Sequence, residues 1–564
     1  MSNKRLLYSI FCVIQIFFSS ISLLGCATSL NNEDAKKPCR QCHRLSGALE
    51  PVMYDLNLTL NSETDEILGQ VVIEMQCRKE TSSIQLHMDP LFLYVQYAVL
   101  ENRLTNISID AGIPDIDWNR EILEFNLNMT LEISYVYYLK IWFVAKYSDD
   151  EHGLTRNSDL THGTWINTFS EPTYARRLFP CFDEPKWRAI FKLKLWLYGE
   201  FADISFVALS NTRSNRLNWR ENLTIFEFEA TPPLPIYLFS FAIGKFRSHC
   251  SEKYLPDREM CIWRFHNFID WERMAEKIMK AAASYQTRMT KELASDPIAR
   301  LYFLIVPMKL NGMEHYGLLN IKEALWPKYD DDYSFYKFSK TLYHEMAHQW
   351  FGNLVTVEWW DSIWLAEGLA TFTSSARPIF FDPAHDLTVD SLVSKKWATR
   401  IPTIVYTKSA TLLEMVESMI GSEQMSKFLR DYVRVFAFGW ANTESFLQLL
   451  KASIGEKDLR IDRVAEFLHF WLHQESHPIV FIDYDKSLSQ FLLSQTPKLG
   501  PAKNRWPIPV WVDCLEATVP ERLYWIERDK QLILNLDEIT TTNLTTKVAF
   551  NRNRPVYYQT SFRY

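Results

Sequence analysis

The strongest constraint on how this chain folds is that its hydrophobic period changes twice. From Pro51 to about Phe246 apolar and polar residues alternate, as in Tyr54-Asp55-Leu56-Asn57-Leu58-Thr59-Leu60 and Phe191-Lys192-Leu193-Lys194-Leu195. That spacing predicts strands with one buried face. From about Trp271 the period becomes helical, most clearly over Met274–Lys280 and Lys337–Phe351, with more helices inside 404–453. After Pro478 alternation returns, in Ile479-Val480-Phe481-Ile482 and Leu532-Ile533-Leu534. A chain of 564 residues also exceeds what one core supports. The expectation is a multidomain α+β protein: an N-terminal β domain over 46–246, a mainly helical domain over 247–475, and a small C-terminal β domain over 476–564.

The first residues read as a targeting segment. Lys4 and Arg5 precede an apolar run from Leu6 to Leu24, and the small residues Gly25, Cys26 and Ala27 follow. This is the order of a signal peptide over 1–27, and the run is nearly long enough for an uncleaved membrane anchor instead. Leu23-Leu24-Gly25-Cys26 also resembles a bacterial lipoprotein site. Residues 28–45 look like a polar linker. Sequons at Asn57, Asn106, Asn128, Asn222 and Asn543 fit a secreted or cell-surface glycoprotein. Seven cysteines lie past the leader, an odd number, so at least one is unpaired within the chain. Cys250 and Cys261 could close a disulfide, and Cys39-x-x-Cys42 stands alone in the linker. With a net charge of −7 and no basic block, nucleic acid is not an expected partner.

The chemistry concentrates in Thr341-Leu-Tyr-His344-Glu345-Met-Ala-His348-Gln-Trp-Phe351. On a helix, residues four apart share a face, so His344 and His348 can offer both imidazoles to one ion. Zinc suits such nitrogen donors, and a catalytic zinc takes three protein ligands with one position left open. Glu367, in Trp364-Leu365-Ala366-Glu367-Gly368-Leu369-Ala370, can supply the third from a second antiparallel helix. One Zn2+ per chain is therefore expected. Glu345 lies beside the pair, placed to take a proton from a water whose pKa the ion lowers toward ~7. The bland alternative, a solvated helix face, fits poorly with the neighbouring Tyr343, Met346, Ala347, Trp350 and Phe351.

Taken with Gly352-Asn-Leu-Val-Thr356 and with Glu171-Pro-Thr-Tyr-Ala-Arg-Arg-Leu-Phe-Pro-Cys-Phe-Asp-Glu-Pro185, this stretch resembles the zinc aminopeptidases of the aminopeptidase N type, the glutamate zincins. Nearly everything after residue 50 follows the family's order. The resemblance implies an N-terminal β saddle domain, a thermolysin-like catalytic domain and a C-terminal β-sandwich. It implies an enzyme that removes the N-terminal residue from peptides. Asn311-Gly312-Met313-Glu314-His315 is similar to the family's Gly-Ala-Met-Glu-Asn motif, which makes Gly312, Met313 and Glu314 substrate-binding and pairs Glu314 with Glu171 on the substrate amine. Tyr406-Thr-Lys408-Ser-Ala-Thr-Leu-Leu413 resembles a Tyr-x-Lys-Gly-Ala-x-x-Leu motif, which makes Tyr406 the oxyanion donor.

Several residues depart from that pattern. Asn311 and His315 replace Gly and Asn, Phe169 falls where a substrate-contacting glutamine is expected, Ala366 replaces an Asn, and Ser362 replaces an acidic residue. His315 could carry positive charge beside the substrate ammonium at acidic pH. The stretch from Glu367 to Tyr406 is shorter than the family's. The chain stops at Tyr564, in what resembles the last strand of the sandwich, without the family's C-terminal helical domain. Two functions follow: a zinc aminopeptidase acting on extracellular peptides with a free N-terminus, or a catalytically weak relative that binds peptides or partners. Neither oligomeric state nor preferred first residue is legible.

Overall fold

The computed structural model describes residues 43–564 except 103, 106, 221, 256–257, 266–270, 329–330, 375–402, 456–458, 475, 515–519, 537–547, 553 and 564. The leader, most of the linker, Cys39, Cys42, Asn106, Asn543 and most of the stretch between Glu367 and Tyr406 lie outside these residues. The described residues belong to one compact unit.

The alternating N-terminal segment folds into sheets. In the strand Leu49–Asn61, Leu56, Leu58 and Leu60 are fully buried while Asn57 and Thr59 on the opposite face are only half-buried. It pairs antiparallel with Glu66–Cys77 and parallel with Arg188–Tyr198, Tyr54 lying opposite Phe191. The two rings stack with centroids 4.9 Å apart. These strands centre a nine-stranded sheet. The Tyr54 hydroxyl accepts from Phe182 N at 3.1 Å, so the 171–185 motif is pinned across that sheet. A four-stranded sheet includes the strands Gly153–Asp159 and Gly163–Phe169, and Glu171 lies two residues past the end of the second.

At Phe246 the chain enters a different, five-stranded sheet, in the order Phe246–Ser251, Met260–Phe265, Leu301–Val306, Leu318–Lys322 and Gly312–Met313. The helical period therefore does not run unbroken from Trp271. Leu301–Val306 is six buried apolar residues without alternation, as a strand covered on both faces must be. Cys250 and Cys261 sit opposite each other on the first two strands and form a disulfide, while Cys77 and Cys181 are free and buried. The edge strand Gly312–Met313 is antiparallel to its neighbour, with Met313 opposite Asn320.

Helices Glu272–Leu293, Asp332–Ala347, Trp364–Thr373, Thr403–Ile420, Ser422–Phe436, Thr443–Ile454 and Leu459–His473 make up the rest of the middle region. The first buries Ala275, Ile278, Met279, Ala282, Gln286, Met289 and Leu293, the three-and-four spacing of one helical face. Beyond Pro478 the strands form a four-stranded sheet and a three-stranded sheet. No helix among the described residues is long and apolar enough to cross a membrane.

Candidate metal centre

The helix Asp332–Ala347 begins where the Asp331 side chain accepts from Tyr333 N at 3.0 Å. Phe338, Leu342 and Met346, four residues apart, are fully buried and fix the rotation of the helix. After His348 the chain leaves the helix through a wide turn, with Asn353 N bonded to His348 O (3.0 Å) and Leu354 N to Gln349 O (3.1 Å). Gly352 takes φ 122° there, and a Cβ on it would stand 3.3 Å from His348 Nδ1. The N-terminal β region holds this turn from outside. Tyr237 donates its hydroxyl to Gly352 O (2.8 Å), and Arg188 Nη2 donates to Asn353 O (2.5 Å) and Leu354 O (2.9 Å).

Three donor atoms converge on one point. His344 Nε2 and His348 Nε2 are 3.0 Å apart, and Glu367 Oε2, from the helix Trp364–Thr373, lies 3.1 Å from the first and 3.2 Å from the second. His348 donates from Nδ1 to Phe351 O at 2.9 Å, which leaves the Nε2 lone pair facing the other two donors. Ligands about 2.0 Å from a tetrahedral ion stand about 3.3 Å apart. A triangle with sides of 3.0–3.2 Å therefore has the size and donor chemistry to hold one small divalent cation. Burial works to raise the Glu367 carboxyl, but His348 and His344 outweigh it and bring it down to about 2. Burial works to lower His348, but the carboxylates of Glu314 and Glu367 outweigh it and the net direction is upward. The pocket stabilises positive charge at that imidazole, the sign of charge a cation brings. Cys250, Glu259 and Cys261 also cluster, but the two thiols are consumed in the disulfide.

The other expected residues surround this triangle. Oxygens of Glu314 and Glu345 lie within 4.8 Å of a His348 nitrogen and of each other, Glu314 Oε1 being 3.8 Å from His348 Nδ1. The Tyr406 ring centroid is 5.6 Å from that of His344. Gly312 lies against the Glu345 side chain so closely that a Cβ would meet Glu345 Oε1 at 2.2 Å. The resemblance gives this position to alanine, so the glycine is a further departure, and Glu345 fills the volume it releases. Met313 is buried in the edge strand. Glu171 is buried as well, with Oε1 making no hydrogen bond among the described residues. Burial, then the charge of Glu314, raises the carboxyls of both Glu171 and Glu345 well above the ordinary range. Burial, then the charge of Glu367, raises the Tyr406 phenol, so it is a hydrogen-bond donor at any physiological pH.

One expectation is overturned. His315 is fully buried, and burial, opposed weakly by Asn320, brings its pKa down to about 3. It is neutral through the physiological range and carries no positive charge beside an ammonium. Among the other departures, Phe169 is buried edge-on to His152, Ser362 donates to Asp361 at 3.2 Å, and Asn311 O accepts from Lys322 N at 2.9 Å. Sequence reasoning missed Gln349, Asn353, Tyr237 and Arg188. Their roles depend on contacts between distant segments, and no spacing along the chain signals them.

Two imidazole nitrogens and a carboxylate oxygen, carried on two helices, form a group that could hold one metal ion. Residues 50–238 match the Peptidase M1 N-terminal domain, and residues 295–378 and 381–471 match the Peptidase family M1 domain. The chain belongs to peptidase family M1. It is similar to aminopeptidase M1-A of Oryza sativa subsp. japonica, 25% identical over 94% of this chain and 62% of that protein. It is equally similar to aminopeptidase N of Bos taurus, 25% identical over 95% of this chain and 60% of that protein. The thyrotropin-releasing hormone-degrading ectoenzyme of Mus musculus is 26% identical over 78% of this chain and 43% of its own length. The chain thus spans about 60% of the length of the first two relatives.

Proposed function

We propose that the chain is a zinc-dependent aminopeptidase acting on peptides with a free N-terminus outside the cell. The observation that carries this is the triangle of His344 Nε2, His348 Nε2 and Glu367 Oε2, with sides of 3.0–3.2 Å. When bound there, one zinc ion supplies Lewis acidity toward a peptide carbonyl and activates water. Glu345 accepts the proton of the attacking water and returns it to the leaving amine. Tyr406 donates to the oxygen on which negative charge develops. Glu314 and Glu171 hold the α-ammonium, whose positive charge offsets the repulsion between their buried carboxylates. Gly312 and Met313 present the edge of the five-stranded sheet to the substrate backbone. Names of relatives such as aminopeptidase N and an ectoenzyme support both the activity and the compartment.

The remaining domain reading belongs to the same proposal. We assign 46–246 to a saddle-like β domain, 247–475 to a thermolysin-like catalytic domain, and the two sheets of 476–564 to a β-sandwich. Segment 1–27 is the export signal or a membrane tether. Asn128 and Asn222 are exposed and available for glycosylation. A weakly active, peptide-binding relative is the second reading, favoured by the replacements at Phe169, Asn311, His315 and Ala366.

Hydrolysis of aminoacyl-arylamides with and without a chelator tests the proposal. The expected outcome is chelator-sensitive turnover that falls about a thousandfold in Glu345→Gln while that variant keeps its zinc. Wild-type turnover no higher than the variant's, with zinc bound in both, would establish the binding-only reading instead.

A further inference from the structure

We infer that Gln349 and Asn353 are positioning residues that set the reach of the amine-binding carboxylate from the metal, and with it the preference for a free N-terminus. This rests on the reading of Glu314 given above. Gln349 Nε2 donates to Glu314 O at 3.0 Å, and Asn353 Nδ2 donates to the same oxygen at 2.8 Å. Both donors and the acceptor are at least 96% buried. A carbonyl has two lone pairs, so this one is saturated by the two side chains.

The place of Glu314 in the fold makes these bonds decisive for its position. The sheet ladder ends at Met313, which pairs with Asn320. The segment is next held at the tight turn from Leu318 N to His315 O, at Tyr316 O by Asn211 Nδ2 (2.8 Å) and at Gly317 O by Tyr302 N (3.1 Å), all beyond Glu314 itself. Glu314 therefore sits one residue beyond the ladder, at the start of a bend, where the two amides replace strand pairing. Both amides come from the end of the histidine helix: Gln349 follows His348 directly, and Asn353 lies in the turn whose amide bonds back to His348 O. The turn is fixed in its own right, since Asn353 O accepts from Arg188, on the Arg188–Tyr198 strand of the nine-stranded sheet. The backbone that carries the amine anchor is thus measured off from the residue next to a metal donor. Displacements of about 1 Å at a reacting centre cost large factors in rate and affinity.

The test uses two inhibitors with the same zinc-binding hydroxamate head, one with an α-amino group and one without, on the full chain. The variants are Gln349→Met and Asn353→Ala, with Glu314→Ala as positive control. The ratio of the two inhibition constants measures amine recognition alone, and zinc content and thermal midpoint are measured alongside. We expect each variant to reduce the ratio about tenfold, with affinity for the des-amino inhibitor and zinc content unchanged. A ratio within about twofold of wild type, or equal weakening of both inhibitors, would overturn the inference. If Asn353→Ala does not fold, Gln349→Met and Gln349→Asn carry the test by the same criteria. A wild-type protein indifferent to the amino group would refute the aminopeptidase reading and this inference together. A wild-type preference that survives in the variants would refute this inference alone.

Discussion

On the proposed reading the site has a metal half and an amine half, and the two are built in different ways. The metal half consists of His344, Glu345 and His348 on one helix and Glu367 on another, with donor atoms 3.0–3.2 Å apart. The amine half takes Glu171 from just after a strand of the N-terminal region and Glu314 from the end of an edge strand in the middle region. Helical period alone brings most of the metal half together, because residues four apart share a face whatever surrounds them. Nothing local brings Glu171 to Glu314. Their meeting depends on packing between distant segments and on side-chain bonds such as those from Gln349 and Asn353. Most departures from the family pattern, at 311, 312, 315 and 169, fall on the amine side. Ala366 and Ser362 depart beside Glu367, but the three proposed metal donors and Glu345 are themselves intact. A catalytic zinc site needs three protein ligands in a tetrahedral arrangement, so losing one costs the metal, while an ammonium can be held by carboxylates from more than one backbone arrangement.

The comparison is broken most directly by removing a donor from each half. Glu367→Ala takes one of three ligands from the triangle, and zinc content after dialysis should fall from one per chain to below about a tenth, with activity lost. Glu314→Gln removes a charge from the amine half and leaves the triangle whole. Zinc content should then stay at one per chain while kcat/KM for aminoacyl-arylamides drops about a hundredfold, mostly through KM. Loss of zinc in Glu314→Gln would mean the halves are not separable. Metal analysis and steady-state kinetics on the two variants decide the point.

The same division explains what was legible in the sequence. The alternation that predicts strands at Tyr54–Leu60 and Phe191–Leu195 is strong because one face of each strand is buried and the other is not. Leu301–Val306 lacks that signal, being covered on both faces, so a strand inside the helical region was not legible from periodicity. His344 and His348 declare themselves by spacing. Glu171 and Glu314 look like ordinary glutamates and were identified only through resemblance to a family. Gln349 and Asn353 lie inside the stretch that carries the resemblance, but neither route gave a role to them, to Arg188 or to Tyr237. Each acts through one contact made across the fold, and a periodic pattern carries no record of such a contact.

His315 gives the smallest and cleanest measure of how far the amine half has diverged. Its imidazole is fully buried and its folded pKa is about 3, against an ordinary 6.5. A base whose folded pKa is lowered resists protonation in the folded state, so the unfolded chain binds the extra proton. The stability this residue contributes is fully present above about pH 6.5 and is lost as pH falls from there toward about 3. The slope is on the order of 1.4 kcal/mol per pH unit, or about 2 kcal/mol between pH 7 and pH 5. Replacing it with the family's residue, His315→Asn, removes the titrating group and should remove that part of the pH dependence. Urea unfolding of both proteins at pH 7 and pH 5 measures it as a difference of differences, independent of other groups that titrate equally in the two. An equal loss of stability in wild type and variant would mean that the imidazole is reached by water or already partnered. His315 would then be a tolerated substitution in the amine half, not a source of acid sensitivity confined to it.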